Sequence, residues 1–144
     1  MILPDLNLLL YAYNSHTKQH EKARVWWESA LNGRELIGLP HEVTLGFIRI
    51  ATNPRLGVAS ISLEVARATV STWMKMPVAR VILPLENHTN SVVQLLEQSH
   101  SSGQLTSDAS LAVYAIENRA TLYSNDTDFA RFPGLDWKNP LLSD

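Results

Sequence analysis

The sequence contains no cysteine and no apolar run long enough to cross a bilayer. Without cysteine the chain has no disulfide framework, no thiolate metal ligand and no cysteine nucleophile, which suits a reducing cytoplasm. The apolar N-terminal run MILPDLNLLLYAYNS lacks a basic leader region and carries Asp5 near its start. We therefore expect this run to belong to the folded core rather than to a signal peptide, and the protein to be cytoplasmic.

Positive charge and glycine are also scarce. The chain has 12 Lys and Arg against 14 Asp and Glu, a formal net charge of −2. A protein that binds nucleic acid through its own cations is usually basic, so a nucleic-acid function here requires another source of positive charge, such as metal ions. The 6 glycines form no G-x-G-x-x-G motif, which excludes a Rossmann-type cofactor enzyme.

The length of 144 residues and the apolar fraction of 45% predict one globular domain spanning residues 1–144. Short apolar runs at 2–3, 36–39, 81–83 and 120–123 predict strands. Helical patterns lie at 6–10, at 23–31, from 40 to about 52, between Ser62 and Pro77, around 92–96, and from 108 to about 118 with Thr106 or Ser107 as cap. This alternation predicts right-handed βαβ units and an α/β fold, a three-layer α/β/α domain with a short central parallel sheet.

Carboxylates follow the predicted strands. Asp5, Glu42 and Asp126 each come shortly after a strand, and ligands of open parallel sheets bind beyond the C-terminal strand ends. Asp108 instead opens a helix, and spacing does not decide whether its loop carries it to the same edge. Each acid also has an ordinary interpretation. Asp5 can be a helix N-cap, Glu42 and Asp108 can complement helix dipoles, and Asp126 and Asp128 can form turns.

Several acids at one end of a sheet repel each other and raise each other's pKa, so their proximity needs a cause. A hard divalent cation such as Mg²⁺ or Mn²⁺ supplies it, because these ions take oxygen ligands and keep several waters. One or two such ions activate a water and hold a phosphodiester in line. A metal-dependent reaction on a phosphate ester would also explain how an acidic protein approaches a polyanion.

At these residues the sequence resembles the PIN-domain family, nearly from end to end. The resemblance is carried by Asp5-Leu6-Asn7, Pro40-His41-Glu42-Val43, Leu105-Thr106-Ser107-Asp108-Ala109, Ser124-Asn125-Asp126-Thr127-Asp128-Phe129 and Arg131-Phe132-Pro133-Gly134-Leu135. A lone D-x-N has no value as a signal, whereas the ordered set placed on strand ends and helix starts is specific. The last motif and Asn53-Pro54-Arg55 resemble one VapC-type subgroup in particular.

The resemblance implies an α/β/α domain whose acidic quartet binds Mg²⁺ or Mn²⁺ and cleaves RNA, with tRNA or rRNA as the expected substrates. Carried over by position, the catalytic and metal-binding quartet is Asp5, Glu42, Asp108 and Asp126, with Asp128 as an additional acid of the last motif. Asn7 and Ser124 match polar positions that support these ligands, and the family more often has Thr at the position of Ser124.

The resemblance to VapC-type proteins also implies partners. It predicts the toxin of a type II toxin–antitoxin pair, a homodimer held inactive by a cognate VapB-type antitoxin whose C-terminal segment covers the active site. Metal-activated water and the lack of a Ser, Cys or His nucleophile arrangement predict products with 5′-phosphate and 3′-hydroxyl ends.

Basic residues and histidines supply further candidates. Arg49 lies seven residues after Glu42 on the same helix face and is a candidate for binding RNA phosphate, as are Arg55 and Arg131 on weaker grounds. The alternative for each is a solvated surface charge. His16 and His20 have the spacing of a zinc pair on a helix, but no third ligand is evident, which favours a surface role.

Three other functions compete with the toxin hypothesis. A haloacid-dehalogenase-like phosphatase would need a second Asp at the position that Asn7 occupies. A non-catalytic PIN-like binding module is disfavoured because all four acids are present. A PIN-domain RNA-processing nuclease outside any toxin system stays open, and a small antitoxin reading frame directly upstream would decide against it.

Overall fold

The computed structural model describes residues 1–142, and these form a five-stranded sheet in which every neighbouring pair is parallel. The order across the sheet is β3-β2-β1-β4-β5. The strands are β1 (Ile2–Pro4), β2 (Ile37–Pro40), β3 (Ala79–Ile82), β4 (Thr121–Tyr123) and β5 (Asp136–Lys138). The prediction of a short central parallel sheet is confirmed.

Helices flank this sheet. They are α1 (Leu6–Tyr13), α2 (His20–Leu31), α3 (His41–Ala51), α4 (Leu63–Lys75), α5 (His88–Gln98) and α6 (Thr106–Glu117), with 3₁₀ turns at Pro54–Ala59, Gly103–Leu105 and Thr127–Arg131. Helix α1 packs on α2 and α3, α3 packs on α4, and α5 packs on α6. None of the helices within residues 1–142 is long and apolar enough to span a bilayer.

The sheet order places a topological switch next to its central strand. From β1 the chain runs outward through β2 to β3, then returns on the other side of β1 to form β4 and β5. Strands β1 and β2 are buried throughout, which explains why their residues are apolar. Ligands of such sheets bind where the strand order reverses, so the residues that follow β1 and β4 lie at the expected position.

An aromatic cluster packs the helices α1 to α4 together. Trp27, Phe47 and Trp73 are fully buried, with 4.8 Å between the ring centroids of Phe47 and Trp73 and 5.6 Å between those of Trp27 and Trp73. The Trp73 Nε1–H donates to the Tyr13 hydroxyl over 2.7 Å, which satisfies the buried indole. These contacts fix α1 and α3 relative to each other; α1 begins directly after Asp5, and Glu42 is the second residue of α3.

A close approach of α1 and α3 depends on Gly46. A Cβ atom at this position would lie 2.7 Å from Leu6 Cδ2. A side chain at position 46 would therefore push Leu6, the residue directly after Asp5, away from α3. Gly46 thus allows the two helix starts that carry Asp5 and Glu42 to share one cleft.

Several details of the sequence-based prediction are wrong. Strand β3 spans Ala79–Ile82 rather than 81–83, and Val81 and Leu83 are exposed because β3 lies at an edge of the sheet. Helix α6 begins at Thr106 without a side-chain cap, so neither Thr106 nor Ser107 caps it. Strand β5 was not predicted at all. The cap at Ser62 is confirmed, since its hydroxyl accepts the Val65 N–H over 3.1 Å.

Candidate active site

Asp5 and Ser124 form the buried centre of the site. Asp5 follows β1 directly and is 8% exposed, while Ser124 follows β4 and is fully buried. The Ser124 hydroxyl donates to Asp5 Oδ2 over 2.7 Å, and the Asp5 N–H donates to the Tyr123 carbonyl over 2.8 Å. Burial raises the pKa of the Asp5 carboxyl, and the hydrogen bond from Ser124 acts in the opposite direction.

The segment after β4 carries two more carboxylates in a hydrogen-bonded turn. The Asp126 N–H donates to the Ser124 Oγ over 3.0 Å, and the Asp128 N–H donates to Asp126 Oδ1 over 2.9 Å. The turn-forming role considered for Asp126 is therefore present in the structure. It does not exclude a ligand role, because Asp126 Oδ2 takes no part in this turn.

Strand β5 holds this turn from the other side. The Ser124 N–H donates to the Lys138 carbonyl over 3.0 Å, and the Trp137 Nε1–H donates to the Ser124 carbonyl over 3.0 Å. Both backbone groups of Ser124 are thus fixed by the strand that sequence analysis missed. The only indication of β5 in the sequence was Trp137, a large aromatic residue in an otherwise polar stretch.

Asp108 joins the same edge of the sheet, which spacing alone left open. It lies half-buried in the first turn of α6, and one carboxylate oxygen from each of Asp108, Asp126 and Asp128 lies within 4.8 Å of the others. Burial, followed by the negative charges of Asp5, Asp126 and Asp128, raises the pKa of Asp108 to about 6. We refer to Asp5, Asp108, Asp126 and Asp128 as the acidic cluster.

The donor set of the acidic cluster fits a hard divalent cation. Two carboxylates about 5 Å apart repel by on the order of 3 kcal/mol at an effective dielectric constant of about 20, and a bound cation converts this repulsion into attraction. The oxygens are those that Mg²⁺ and Mn²⁺ prefer. Within residues 1–142, the acidic cluster forms an ion pair through Asp128, whose carboxylate lies 3.4 Å from the Arg131 guanidinium. Both side chains are partly exposed.

Glu42 reaches the site from the other side. It lies in the first turn of α3 and lines the same cavity as Asp5 and Asp108, which has a volume of about 840 Å³. Its Oε1 accepts the Tyr114 hydroxyl over 3.0 Å, and its Oε2 accepts the Ser110 hydroxyl over 3.4 Å. Glu42 is therefore held by α6, the helix that also carries Asp108.

The predicted supporting and phosphate-binding residues fall at different places. Asn7 and Arg49 are exposed and line the cavity, whereas Arg55 lies in the 3₁₀ turn after α3 and outside that lining. Arg131 pairs with Asp128 at the rim, so its positive charge is already directed at the acidic cluster. Of the three arginines, Arg49 is the one that lines the cavity.

The two histidines do not have the helical spacing that suggested a zinc pair. His16 lies in the turns before α2, and His20 begins that helix with its Nδ1 2.8 Å from the Tyr11 carbonyl oxygen. The two residues do not share a helix, so the argument from spacing does not apply to them.

Sequence analysis missed Ser110, Tyr114 and His88. The His88 Nε2 lies 2.7 Å from the Ser110 Oγ, and the rings of His88 and Tyr114 are tilted at 36° with centroids 4.5 Å apart. Ser110 and Tyr114 are four residues apart in α6, hence on one face. Two hydroxyl side chains at this spacing in an apolar helix could have indicated in the sequence that this helix face contacts the site.

The fold and the acidic cleft at the sheet's switch point define the class of this protein. The PIN domain family model matches residues 2–135, and the chain belongs to the PIN-domain family. Within it, the chain is 40% identical to Ribonuclease VapC33 of Mycobacterium tuberculosis over 141 residues, 98% of this chain and 99% of that protein. It is 34% identical to Ribonuclease VapC37 of the same organism over 140 residues, 97% of each chain.

Solved structures share the fold at lower sequence identity. The VapBC2 structure from Rickettsia felis, bound to a DNA fragment from its promoter, matches with a TM-score of 0.67 at 22% identity, covering 96% of this chain and 98% of that one. The Mycobacterium tuberculosis VapC20 structure, described as a sarcin-ricin loop cleaving toxin, matches with a TM-score of 0.69 at 14% identity. That match covers 94% of this chain and 99% of VapC20. At these identities the likeness establishes the fold.

Proposed function

We propose that this chain is a metal-dependent endoribonuclease and the toxin of a VapBC-type toxin–antitoxin pair. The observation that carries the proposal is the acidic cluster, in which oxygens of Asp108, Asp126 and Asp128 converge within 4.8 Å beside the buried Asp5. Residues 1–144 form a single PIN domain in this proposal, and residues 143 and 144 lie outside the described part.

The chain's own residues have distinct tasks in this reaction. Asp5, Glu42, Asp108 and Asp126 would hold the cation with Asp128 beside them, Ser124 orients Asp5, and Asn7 would support the ligands from the cavity wall. The chemistry that Mg²⁺ or Mn²⁺ would supply there is activation of water and stabilisation of the charge on a phosphodiester. Arg49 on the cavity wall contacts a neighbouring phosphate of the RNA, with Arg131 and the more distant Arg55 as additional contacts.

The substrate and partners follow from the names of the relatives. VapC33 and VapC37 are named ribonucleases, and the solved neighbours include VapBC complexes from Rickettsia felis and nontypeable Haemophilus influenzae. We therefore assign RNA as the substrate, with tRNA or rRNA as the target, and a VapB-type antitoxin as the inhibitor. The chain acts as a homodimer in the cytoplasm.

Induced expression in a bacterial host, followed by sequencing of RNA 5′ ends, tests this function. The wild-type chain is expected to arrest growth and to leave discrete 5′-phosphate ends, whereas Asp5→Asn does neither. Glu64→Gln is the matched control, because Glu64 is an exposed carboxylate on α4 away from the cleft, and it should behave as the wild type.

Two results would contradict the proposal. Products that end in a 2′,3′-cyclic phosphate would exclude hydrolysis by metal-activated water. Folded, abundant wild-type protein that neither arrests growth nor cuts RNA would exclude the toxin function. Arrest that is relieved by the product of a small reading frame directly upstream would identify the antitoxin.

A further inference from the structure

Tyr114 makes an unusual contact for a buried residue of α6. Its side chain is 1% exposed, yet its hydroxyl donates to the carboxylate of Glu42, an exposed residue on α3 that lies 72 positions earlier in the chain. A buried hydroxyl requires a hydrogen-bond partner, and Glu42 Oε1 is the one it has.

A second series of hydrogen bonds, from His88 through Ser110, reaches the other carboxylate oxygen of Glu42. The Ser110 Oγ lies 2.7 Å from His88 Nε2 and 3.4 Å from Glu42 Oε2. The His88 Nδ1 is buried without a partner among the described residues. Since a buried N–H without an acceptor is costly, the hydrogen belongs on Nε2. His88 then donates to Ser110, which in turn donates to Glu42.

The two contacts differ in strength. The Tyr114 bond at 3.0 Å lies at the upper end of the usual O–H···O range, whereas the Ser110 bond at 3.4 Å lies beyond it. Oε1 of Glu42 is thus the more strongly held oxygen, and Oε2 is the one that can exchange its partner. The rings of His88 and Tyr114 pack against each other, which fixes the position of the Tyr114 side chain.

Helix α6 therefore positions two candidate metal ligands. It carries Asp108 in its first turn, and one and a half turns later it holds Glu42 through Tyr114. A Glu side chain at an exposed helix start would otherwise sample several rotamers, and each would place its carboxylate differently. Fixing Oε1 restricts the carboxylate to positions in the cavity that Asp108 also lines.

We propose that Tyr114 is a positioning residue that sets the divalent-cation affinity of the site by holding Glu42 through Oε1 and leaving Oε2 to bind the cation. Ser110 assists through its hydrogen bond to Glu42 Oε2, and His88 assists through its contacts with Ser110 and with the Tyr114 ring. This inference rests on the proposed function, since it assumes that the cavity holds a cation. It adds a residue, Tyr114, that touches neither the cation nor the RNA and acts only through Glu42.

A double-mutant cycle tests the inference on the full-length protein. Mn²⁺ affinity is measured from the paramagnetic resonance of the free ion for the wild type, Tyr114→Phe, Glu42→Gln and the double variant. Tyr114→Phe keeps the ring and its packing on His88, and metal-free thermal unfolding checks its fold. We expect Tyr114→Phe to weaken Mn²⁺ binding by about tenfold, which is the lower end of the affinity losses seen when a residue that hydrogen-bonds to a metal ligand is changed. In the Glu42→Gln background it should cause no further loss.

Two further variants complete the design. Tyr11→Phe is the matched control, because Tyr11 is a partly buried tyrosine of α1 that lies outside the cleft lining, and its affinity should equal that of the wild type. Ser110→Ala removes the weaker contact and is expected to weaken binding by about threefold, less than Tyr114→Phe.

Several outcomes would overturn the inference while leaving the proposed function intact. They are wild-type or tighter Mn²⁺ binding by Tyr114→Phe, an equal loss from Tyr114→Phe in the wild-type and the Glu42→Gln backgrounds, and wild-type binding by Glu42→Gln, which would also remove Glu42 from the proposed ligands while leaving the nuclease function in place. In each of these cases Asp108→Asn still loses Mn²⁺. If the wild type binds no Mn²⁺, or Asp108→Asn binds as the wild type does, the proposed function fails and the inference fails with it.

Discussion

The hydroxyl of Ser124 lies 2.7 Å from Asp5 Oδ2 and donates to it, although the two residues are 119 positions apart in the chain. The same Ser124 oxygen accepts the N–H of Asp126 over 3.0 Å. One buried hydroxyl thus links the carboxylate after β1 to the acidic turn after β4. This hydrogen bond favours the ionised form of the Asp5 carboxylate, whose pKa burial raises.

Removal of this hydroxyl is expected to weaken metal binding. In Ser124→Ala, Asp5 loses a charge-assisted hydrogen bond worth about 1.5–3 kcal/mol, and its pKa rises further. We expect Mn²⁺ affinity to fall by about 10- to 100-fold, measured by calorimetric titration at pH 7.5. Ser124→Thr keeps the hydroxyl and should retain most of the affinity. Equal losses in both variants would show that packing at position 124, and not the hydrogen bond, is what matters.

The stability of the metal-free protein should depend on pH through Asp108. Its pKa is about 6 in the folded protein and near 3.8 in the unfolded chain, so the folded state binds the proton more tightly. The free energy of unfolding therefore decreases as pH rises from about 4 to about 6, and levels off above that range. The raised pKa of Asp5 acts in the same direction.

Thermal unfolding of Asp108→Asn in the presence of a chelator checks this dependence. Because Asp108 is half-exposed, screening reduces the expected gain to about 1 kcal/mol, which raises Tm by about 3 °C at pH 7.5. At pH 4 the two proteins should differ little, and added Mn²⁺ should stabilise only the wild type. A variant less stable than the wild type at pH 7.5 would contradict a raised pKa of Asp108 in the folded protein.

Trp137 is expected to stabilise the acidic turn through its indole N–H. Trp137→Phe removes the donor to the Ser124 carbonyl, which should lower the free energy of unfolding by about 1 kcal/mol. Mn²⁺ affinity should fall by about threefold because the turn that carries Asp126 is held less firmly. Trp26→Phe is the control: Trp26 is also partly buried, and it packs on Tyr123 through its ring. Similar affinity losses in both variants would contradict a role for the hydrogen bond.

Arg49 is expected to contribute to RNA binding and not to metal binding. Arg49→Ala should raise KM for RNA by about tenfold with Mn²⁺ affinity unchanged, and reduce the slope of log affinity against log salt by about one. Filter binding with a catalytically inactive Asp5→Asn background measures the salt slope directly. Arg67→Ala on the exposed side of α4 should leave both quantities unchanged. An unchanged salt slope for Arg49→Ala would assign Arg49 to the solvated surface.

Local sequence was sufficient for most of the elements and for the order of the acids. The buried strands β1 and β2 are short apolar runs, and helices such as α3 repeat apolar residues with helical period, so their positions follow from burial of one face. Strand β5 shows the limit of this reasoning. Asp136–Lys138 has an exposed-intermediate-exposed pattern, and it is a strand because it pairs with β4.

Asp5, Glu42 and Asp126 could be placed near one sheet edge from sequence, because each comes shortly after a strand of a parallel sheet. The sequence by itself determined the family, the parallel α/β architecture and the residue types of the site, since periodicity indicates which positions are buried and the order of the motifs matches that of the family. Only the tertiary structure decided that Asp108 reaches the same edge, that Ser124 anchors Asp5, and that Tyr114 holds Glu42. The last two contacts join residues 119 and 72 positions apart. They depend on how the helices pack across the sheet, which periodicity within each segment does not specify.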